Sequence, residues 1–262
     1  MSTPPLEEMK AFALTLARQA SQTVLAQRAA ATVEIKPDGS PVTSVDRAVE
    51  QVLRQSIGRH YPAHGILGEE YGPENLDAEW VWAIDPIDGT SMFVAGLPTY
   101  GVLIALCHRE RPVLGVICQP VLQDVYLGLT DGGAWLNGRP IASRPVPRLG
   151  EAMAIVSDPD SYDAATEPGY LALRRAAGQV VHDGSCLGYG ALAEGRLQVC
   201  LSGNWMKPYD LLAQVAVVGG AGGKVTDWQG GPLGLHSGGP IVASAGAALH
   251  DEVLELLAGA GG

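Results

Sequence analysis

Basic residues are scarce in this 262-residue chain, 17 Lys and Arg against 28 Asp and Glu, and they form no run. A net charge of −11 without clustered cations excludes a nucleic-acid surface, which needs Lys and Arg to replace counterions on a phosphate backbone. Long hydrophobic runs are also missing. The longest apolar strand-like stretch, Gly101 to Cys107, falls far short of the roughly 20 residues that span a bilayer. The stretch Met1 to Glu8 is acidic where a secretory leader is positive, so the expectation is a cytoplasmic protein with no membrane partner. Cys107, Cys118, Cys186 and Cys200 include no Cys-x-x-Cys pair. That leaves no signal for structural zinc or dithiol redox work, and the thiols are expected to pack as small hydrophobes. His60 and His64 lack the intervening Glu of a zinc-protease helix and read as surface residues.

What is present suits a packed enzyme. A hydrophobic content of 47 % is ample for a core, in one large domain or two intimate subdomains. Apolar residues at Leu6, Met9, Ala13, Leu16, Ala17, Ala20 and Val24 predict a long first helix. Val33 to Lys36 and Pro41 to Thr43 flank an Asp-Gly turn as a hairpin, and Ser44 is placed to cap a second helix carrying Asp46 in its first turn. The middle reads as strands at 65–68, 81–84, 102–107, 113–118 and 125–127, with Leu136 to Pro140 as a turn. Helices are expected at 170–177, 187–194, 209–221 and 249–257, with strands at 197–201, 224–226 and 241–243. The polar, Pro-containing segment from Ser143 to Glu151 sets a boundary between an α+β subdomain, 1–145, and an α/β subdomain, 146–262.

The chemistry concentrates in Asp85-Pro86-Ile87-Asp88-Gly89-Thr90-Ser91, two carboxylates three residues apart followed by a Gly-Thr-Ser turn. Glu69, at another strand end, makes a third carboxylate, and Asp210 can close the site from the second half of the chain. Oxygen donors of this kind select a hard cation such as Mg²⁺, and hydrolysing a phosphate monoester at neutral pH calls for such a cation beside an activated water. Pro86 stiffens the turn and lets the Ile87 carbonyl be presented as a further ligand. If Gly89, Thr90 and Ser91 open a short helix through Phe93, their amides form a positive end for phosphate. Taken singly, Asp-x-x-Asp is also an ordinary polar turn, Asp210 a helix acid favoured by the dipole, and Lys36 a solvated hairpin residue. The combination is what carries the argument.

Gly68-Glu69-Glu70, the hexapeptide at 85–90 and Tyr209-Asp210 resemble the metal-coordinating signatures of the inositol monophosphatase family, and the resemblance covers nearly the whole chain. It implies an α/β fold, the layered α-β-α-β-α sandwich of the inositol monophosphatase and fructose-bisphosphatase type. It also implies a homodimer, two or three Mg²⁺ per site, and a small phosphorylated metabolite as substrate. On this resemblance Glu69, Asp85 and the Ile87 carbonyl hold one Mg²⁺, and Asp85, Asp88 and Asp210 a second. Thr90 paired with Asp46 orients the attacking water, Glu70 supports the metals, and Gly89, Thr90 and Ser91 take the phosphate. Lys36 falls in the family's mobile hairpin, which completes a third, weaker metal site.

Several segments, among them Gly101 to Pro120 and Lys207 to Asp210, look most like the histidinol-phosphate phosphatase branch. Two positions depart from it. Seven residues before Asp210 relatives carry a substrate-binding acid, and here stands Gly203; their Gly-Gly-Asp-Cys is here Asp183-Gly184-Ser185-Cys186. Ser185 and Gly203 are therefore the candidate substrate contacts, with Gly203→Glu expected to restore a grip on a substrate amine. The lead substrate is histidinol phosphate or a similar small amino- or polyol phosphate, with inositol 1-phosphate as the alternative. From another class, the alternative is a non-catalytic protein that keeps the fold to sense metal or phosphate.

Overall fold

The computed structural model describes residues 6–182 and 185–260; residues 1–5 of the acidic N-terminal stretch lie outside it. Helix α1 (Leu6–Gln27) follows the expected period, burying Met9, Phe12, Ala13, Leu16, Ala17, Ala20 and Val24 while Leu6 stays exposed. Strands β1 (Val33–Ile35) and β2 (Pro41–Thr43) pair as the antiparallel hairpin. The cap of α2 (Ser44–His60) is Thr43 rather than Ser44: its hydroxyl accepts from the Val45 and Asp46 amides, and Asp46 closes the capping box. Ser44 is spent elsewhere, its Oγ accepting from the Thr32 amide at 3.1 Å.

The larger sheet comprises β3 (Gly65–Gly68), β4 (Gly72–Glu74), β5 (Trp80–Asp88), β6 (Gly101–His108), β7 (Arg111–Gln119), β8 (Asp124–Leu129), β9 (Gly133–Leu136) and β10 (Arg139–Ile141). Their order is β10-β9-β8-β7-β6-β5-β3-β4. Leu136 to Pro140 is more than a turn. Asn137 and Gly138 take positive φ, which an Asn-Gly pair tolerates, and the flanking residues pair as β9 and β10. Short helix α3 (Thr90–Val94) lies between β5 and β6.

The second sheet, β12-β11-β13-β15-β14, is made of β11 (Met153–Val156), β12 (Gln179–His182), β13 (Val199–Ser202), β14 (Lys224–Asp227) and β15 (Ile241–Ser244). Strand β12 is mostly exposed at the sheet edge, so it carries no apolar pattern to read. Helices α4 (Glu167–Ala176) and α7 (Ala247–Ala260) cover its outer face, while α5 (Leu187–Ala193) and α6 (Pro208–Gly220) fill the space between the sheets.

Alternation along β5 shows how five layers are held. Trp82 and Ile84 join the core with α1 and α2, whereas Val81 and Ala83 join the core with α5 and α6 on the opposite face. The result is the α-β-α-β-α sandwich. Helix α6 lies unusually close to the larger sheet. Gly115 and Gly128 are paired in register beneath it, and a Cβ on either would come under 3.0 Å from the backbone of Ala213 or Val217.

All four cysteines are buried. His64 is not a surface side chain. It stacks on Tyr61 with centroids 4.6 Å apart and receives the Trp82 indole N–H on Nδ1 at 3.1 Å, and burial pushes its pKa down. An imidazole presents an apolar face as readily as a polar edge, which spacing alone does not reveal. Among the described residues no helix is long and apolar enough to cross a membrane.

Candidate active site

Asp85 and Asp88 are three residues apart, so in a regular strand they would point to opposite faces. Between them the register shifts: Asp85 pairs with Leu103 but Asp88 with Gly101, three steps on β5 against two on β6. The extra residue is a bulge, and it turns both acids to one side. Each is then fixed by an amide, Asp85 Oδ1 accepting from Ile87 N at 3.0 Å and Asp88 Oδ2 from Cys186 N. Gly89 follows at φ +84°, a conformation that favours glycine, and starts α3. The first amides of a helix have no acceptor within it, and Gly89, Thr90 and Ser91 all line the cavity described below.

Helix α2 supplies a stripe of polar groups one turn apart. Asp46 and Glu50 are fully buried, with Arg54 next along the same face. Asp46 Oδ2 accepts from the Thr43 amide and hydroxyl, and Thr90 Oγ1 lies 3.3 Å from Asp46 Oδ1 and 3.0 Å from the Ile87 carbonyl. The Thr90 hydroxyl hydrogen serves one of those acceptors at a time. Burial raises the Asp46 pKa against the opposing Thr43 bonds. Glu50, absent from the sequence reading, holds the Glu69–Glu70 turn: its carboxylate accepts from Glu70 N at 2.7 Å, Tyr71 N at 3.1 Å and Arg54 Nε at 2.8 Å. The available signal was its i,i+4 spacing from Asp46 on one helix face.

Lys36 reaches from the hairpin to Glu69 and Glu70, 2.9 and 2.7 Å away. Burial works against its ammonium, but the bonds and charges of Glu70 and Glu69 outweigh that and hold its pKa above the ordinary lysine value. Glu70 is itself pushed up by burial. Asp85 is pushed well up by burial and then by the charges of Glu69, Asp88 and Asp210. Asp210, whose Oδ2 accepts from Lys207 N at 2.7 Å, is pushed up by burial and by Asp88 and Glu69 despite that amide.

Among the described residues no three His, Cys, Asp or Glu side chains are already closed around one point as an ion cage. The donor set still fits a divalent cation. Four carboxyls crowd together, the charges of Glu69 and Asp88 hinder ionisation of Asp85 and Asp210, and all four are hard oxygen donors.

Glu69, Asp85, Ile87, Asp88 and Asp210 line one cavity of about 620 Å³ together with the start of α3. Asp46, Glu70 and Lys36 are not part of that lining; Asp46 touches it through Thr90, and Lys36 through Glu69. Ser185 is elsewhere: it is buried and lines a cavity of about 20 Å³ beneath Asp88, with Tyr189, Ser202 and Gln214. Gln214 Oε1 makes no protein hydrogen bond there, and the space admits one water. Asp183 and Gly184, read alongside Ser185, lie outside the described residues. Gly203 lines the large cavity but has no room for a side chain, since a Cβ would come under 3.0 Å from Oγ, O and C of Ser161. Gly203→Glu therefore does not restore an acid in place; it forces β13 away from Ser161.

The sequence model of the inositol monophosphatase family matches residues 5–260. The chain belongs to the inositol monophosphatase family. It is a phosphatase of that family, a phosphoric monoester hydrolase. A histidinol-phosphatase of Mycobacterium tuberculosis is 36 % identical over 231 residues, covering 86 % of this chain and 87 % of that protein. The bifunctional phosphatase IMPL2, chloroplastic, of Arabidopsis thaliana is 35 % identical over 231 residues, 85 % of this chain and 66 % of its own length. An inositol monophosphatase from Zymomonas mobilis superposes with a TM-score of 0.87 at 34 % identity, over 98 % of this chain and 100 % of that one.

Proposed function

We propose that this phosphatase hydrolyses a small phosphate monoester with Mg²⁺ held by Glu69, Asp85, Asp88, Asp210 and the Ile87 carbonyl, and that histidinol phosphate or a similar amino- or polyol phosphate is the substrate. The observation that carries the reading is the crowding of Asp85 and Asp210 among like charges, an arrangement a divalent cation relieves. When bound, Mg²⁺ supplies positive charge for the phosphate oxygens and acidifies water.

The chain's own groups do the positioning. Amides of Gly89, Thr90 and Ser91 seat the phosphate at the start of α3. With its hydrogen on Asp46 Oδ1 or the Ile87 carbonyl, Thr90 Oγ1 presents a lone pair that accepts from the attacking water and aims its oxygen at phosphorus. Glu50 keeps Glu69 and Glu70 in place through the backbone. Lys36 serves as a movable counter-charge for both, in a hairpin whose Ser40 and Pro41 border the cavity; that hairpin completes a third, weaker cation site when it shifts and Lys36 leaves the two acids. A homodimer and a cytoplasmic location belong to the same reading.

The histidinol-phosphatase relative supports the lead substrate, and the Zymomonas mobilis structure supports inositol 1-phosphate as the second. The test is phosphate release over sugar, inositol, histidinol, nucleotide and bisphosphate esters with Mg²⁺ present. Highest kcat/KM on histidinol phosphate or another small amino- or polyol monoester is expected. Preference for a nucleotide or bisphosphate, or release from none, overturns the reading.

A further inference from the structure

We infer that Asp158, together with Trp205 on the same cavity, selects phosphate esters whose other end carries a positive charge; this deepens the proposed function and rests on it. The first observation is charge. Among the described residues no Lys or Arg lines the large cavity, so a second phosphate or a carboxylate on the substrate meets no cation there. Asp158 does line it, on the segment after β11 rather than on β5 or α6.

The second observation is how Asp158 comes to be there. Gly203 lines the cavity without a side chain, and the space a side chain would need there is filled by Ser161. Ser161 ends a tight turn, Pro159–Ser161, capped by Asp158, whose Oδ1 accepts from Asp160 N at 2.9 Å. The turn is clamped by Asn204 N donating to Ser161 O at 2.8 Å and by the Tyr162 hydroxyl donating to Leu201 O at 2.9 Å. The segment that excludes an acid at 203 therefore brings an acid of its own. The cap uses Oδ1, and Oδ2 is available to a ligand.

The third observation is Trp205. Its indole is 61 % exposed and lines the same cavity two residues from Gly203. An exposed aromatic face and a carboxylate lining one cavity suit an ammonium or a protonated imidazole, through charge-assisted hydrogen bonding to the acid and cation–π attraction to the ring.

Asn caps a turn as well as Asp, so Asp158→Asn removes the charge and keeps the local structure. Steady-state kinetics on histidinol phosphate and glycerol 2-phosphate, measured at one fixed pH, give the selectivity ratio. Loss of one charge-assisted contact, about 1.4 kcal/mol, lowers that ratio about tenfold, through KM rather than kcat. Asp158→Glu recovers part of the loss, and Trp205→Leu lowers the ratio severalfold. A ratio unchanged in both Asp158→Asn and Trp205→Leu, or a fall in kcat shared by the two esters, overturns the inference. Calorimetric titration with histidinol alone separates it from the proposed function. If the wild type hydrolyses neither ester, weaker histidinol binding by Asp158→Asn still upholds the wall and equal binding refutes it, while the wider ester screen decides the proposed reaction.

Discussion

On the wall of the cavity built from β3, β5, α2, α3 and α6, each acid is tied to a partner: Asp46 to Thr43, Asp85 to the Ile87 amide, Asp88 to the Cys186 amide, Asp210 to the Lys207 amide, Glu69 to Lys36. On the wall built from the Asp158–Ser161 turn and residues 203–206, Asp158 and Trp205 are exposed; Asp158 is held only through Oδ1, by the Asp160 amide of its own turn, and otherwise the backbone is what is clamped. The first wall is made for one geometry, as a reaction at phosphorus requires. The second is a fixed ledge carrying replaceable side chains, where selectivity can change without disturbing the chemistry.

That contrast can be broken at its strongest point first. Glu50→Ala leaves Arg54 without its buried partner and two amides without an acceptor, and is expected to destabilise the fold by about 3–5 kcal/mol. Urea unfolding with an unchanged m-value is the measurement, and a loss below about 1 kcal/mol would mean the Glu69–Glu70 turn holds itself. Gly203→Ala probes the ledge. Pressing a methyl into Ser161 should cost about 1–3 kcal/mol in the same experiment, with no gain in selectivity for an amine. A neutral effect on stability would show that the turn yields and that position 203 is open to a side chain after all.

The first wall was largely legible because its acids lie in contiguous motifs and their spacing from strand ends and helix starts is local. Asp46 reads as a first-turn acid and Asp210 as an early acid of α6 without any tertiary information. The bulge that brings Asp85 and Asp88 to one face was not legible, since it depends on pairing with β6. Glu50 was passed over because a Glu–Arg pair on a helix usually marks a solvated face, and only packing shows this one buried. The second wall was misread at Gly203, which suggested a missing acid. The residue that fills the space, Ser161, is distant in sequence, so its contact with β13 leaves no local pattern. Strand β12 escaped for a related reason, its edge position requiring no apolar alternation.

The central claim is that the crowded acids are a cation site serving hydrolysis. Phosphate release by the wild type and by Asp88→Asn, each measured from chelator-treated protein to saturating Mg²⁺, tests it most directly. The wild type should be silent until Mg²⁺ is added, while Asp88→Asn should stay at least about a hundredfold slower throughout, as losing a metal ligand requires, with an unchanged thermal transition in the metal-free state. Wild-type turnover by Asp88→Asn at saturating Mg²⁺, or full activity of the native chain in chelator, would contradict it.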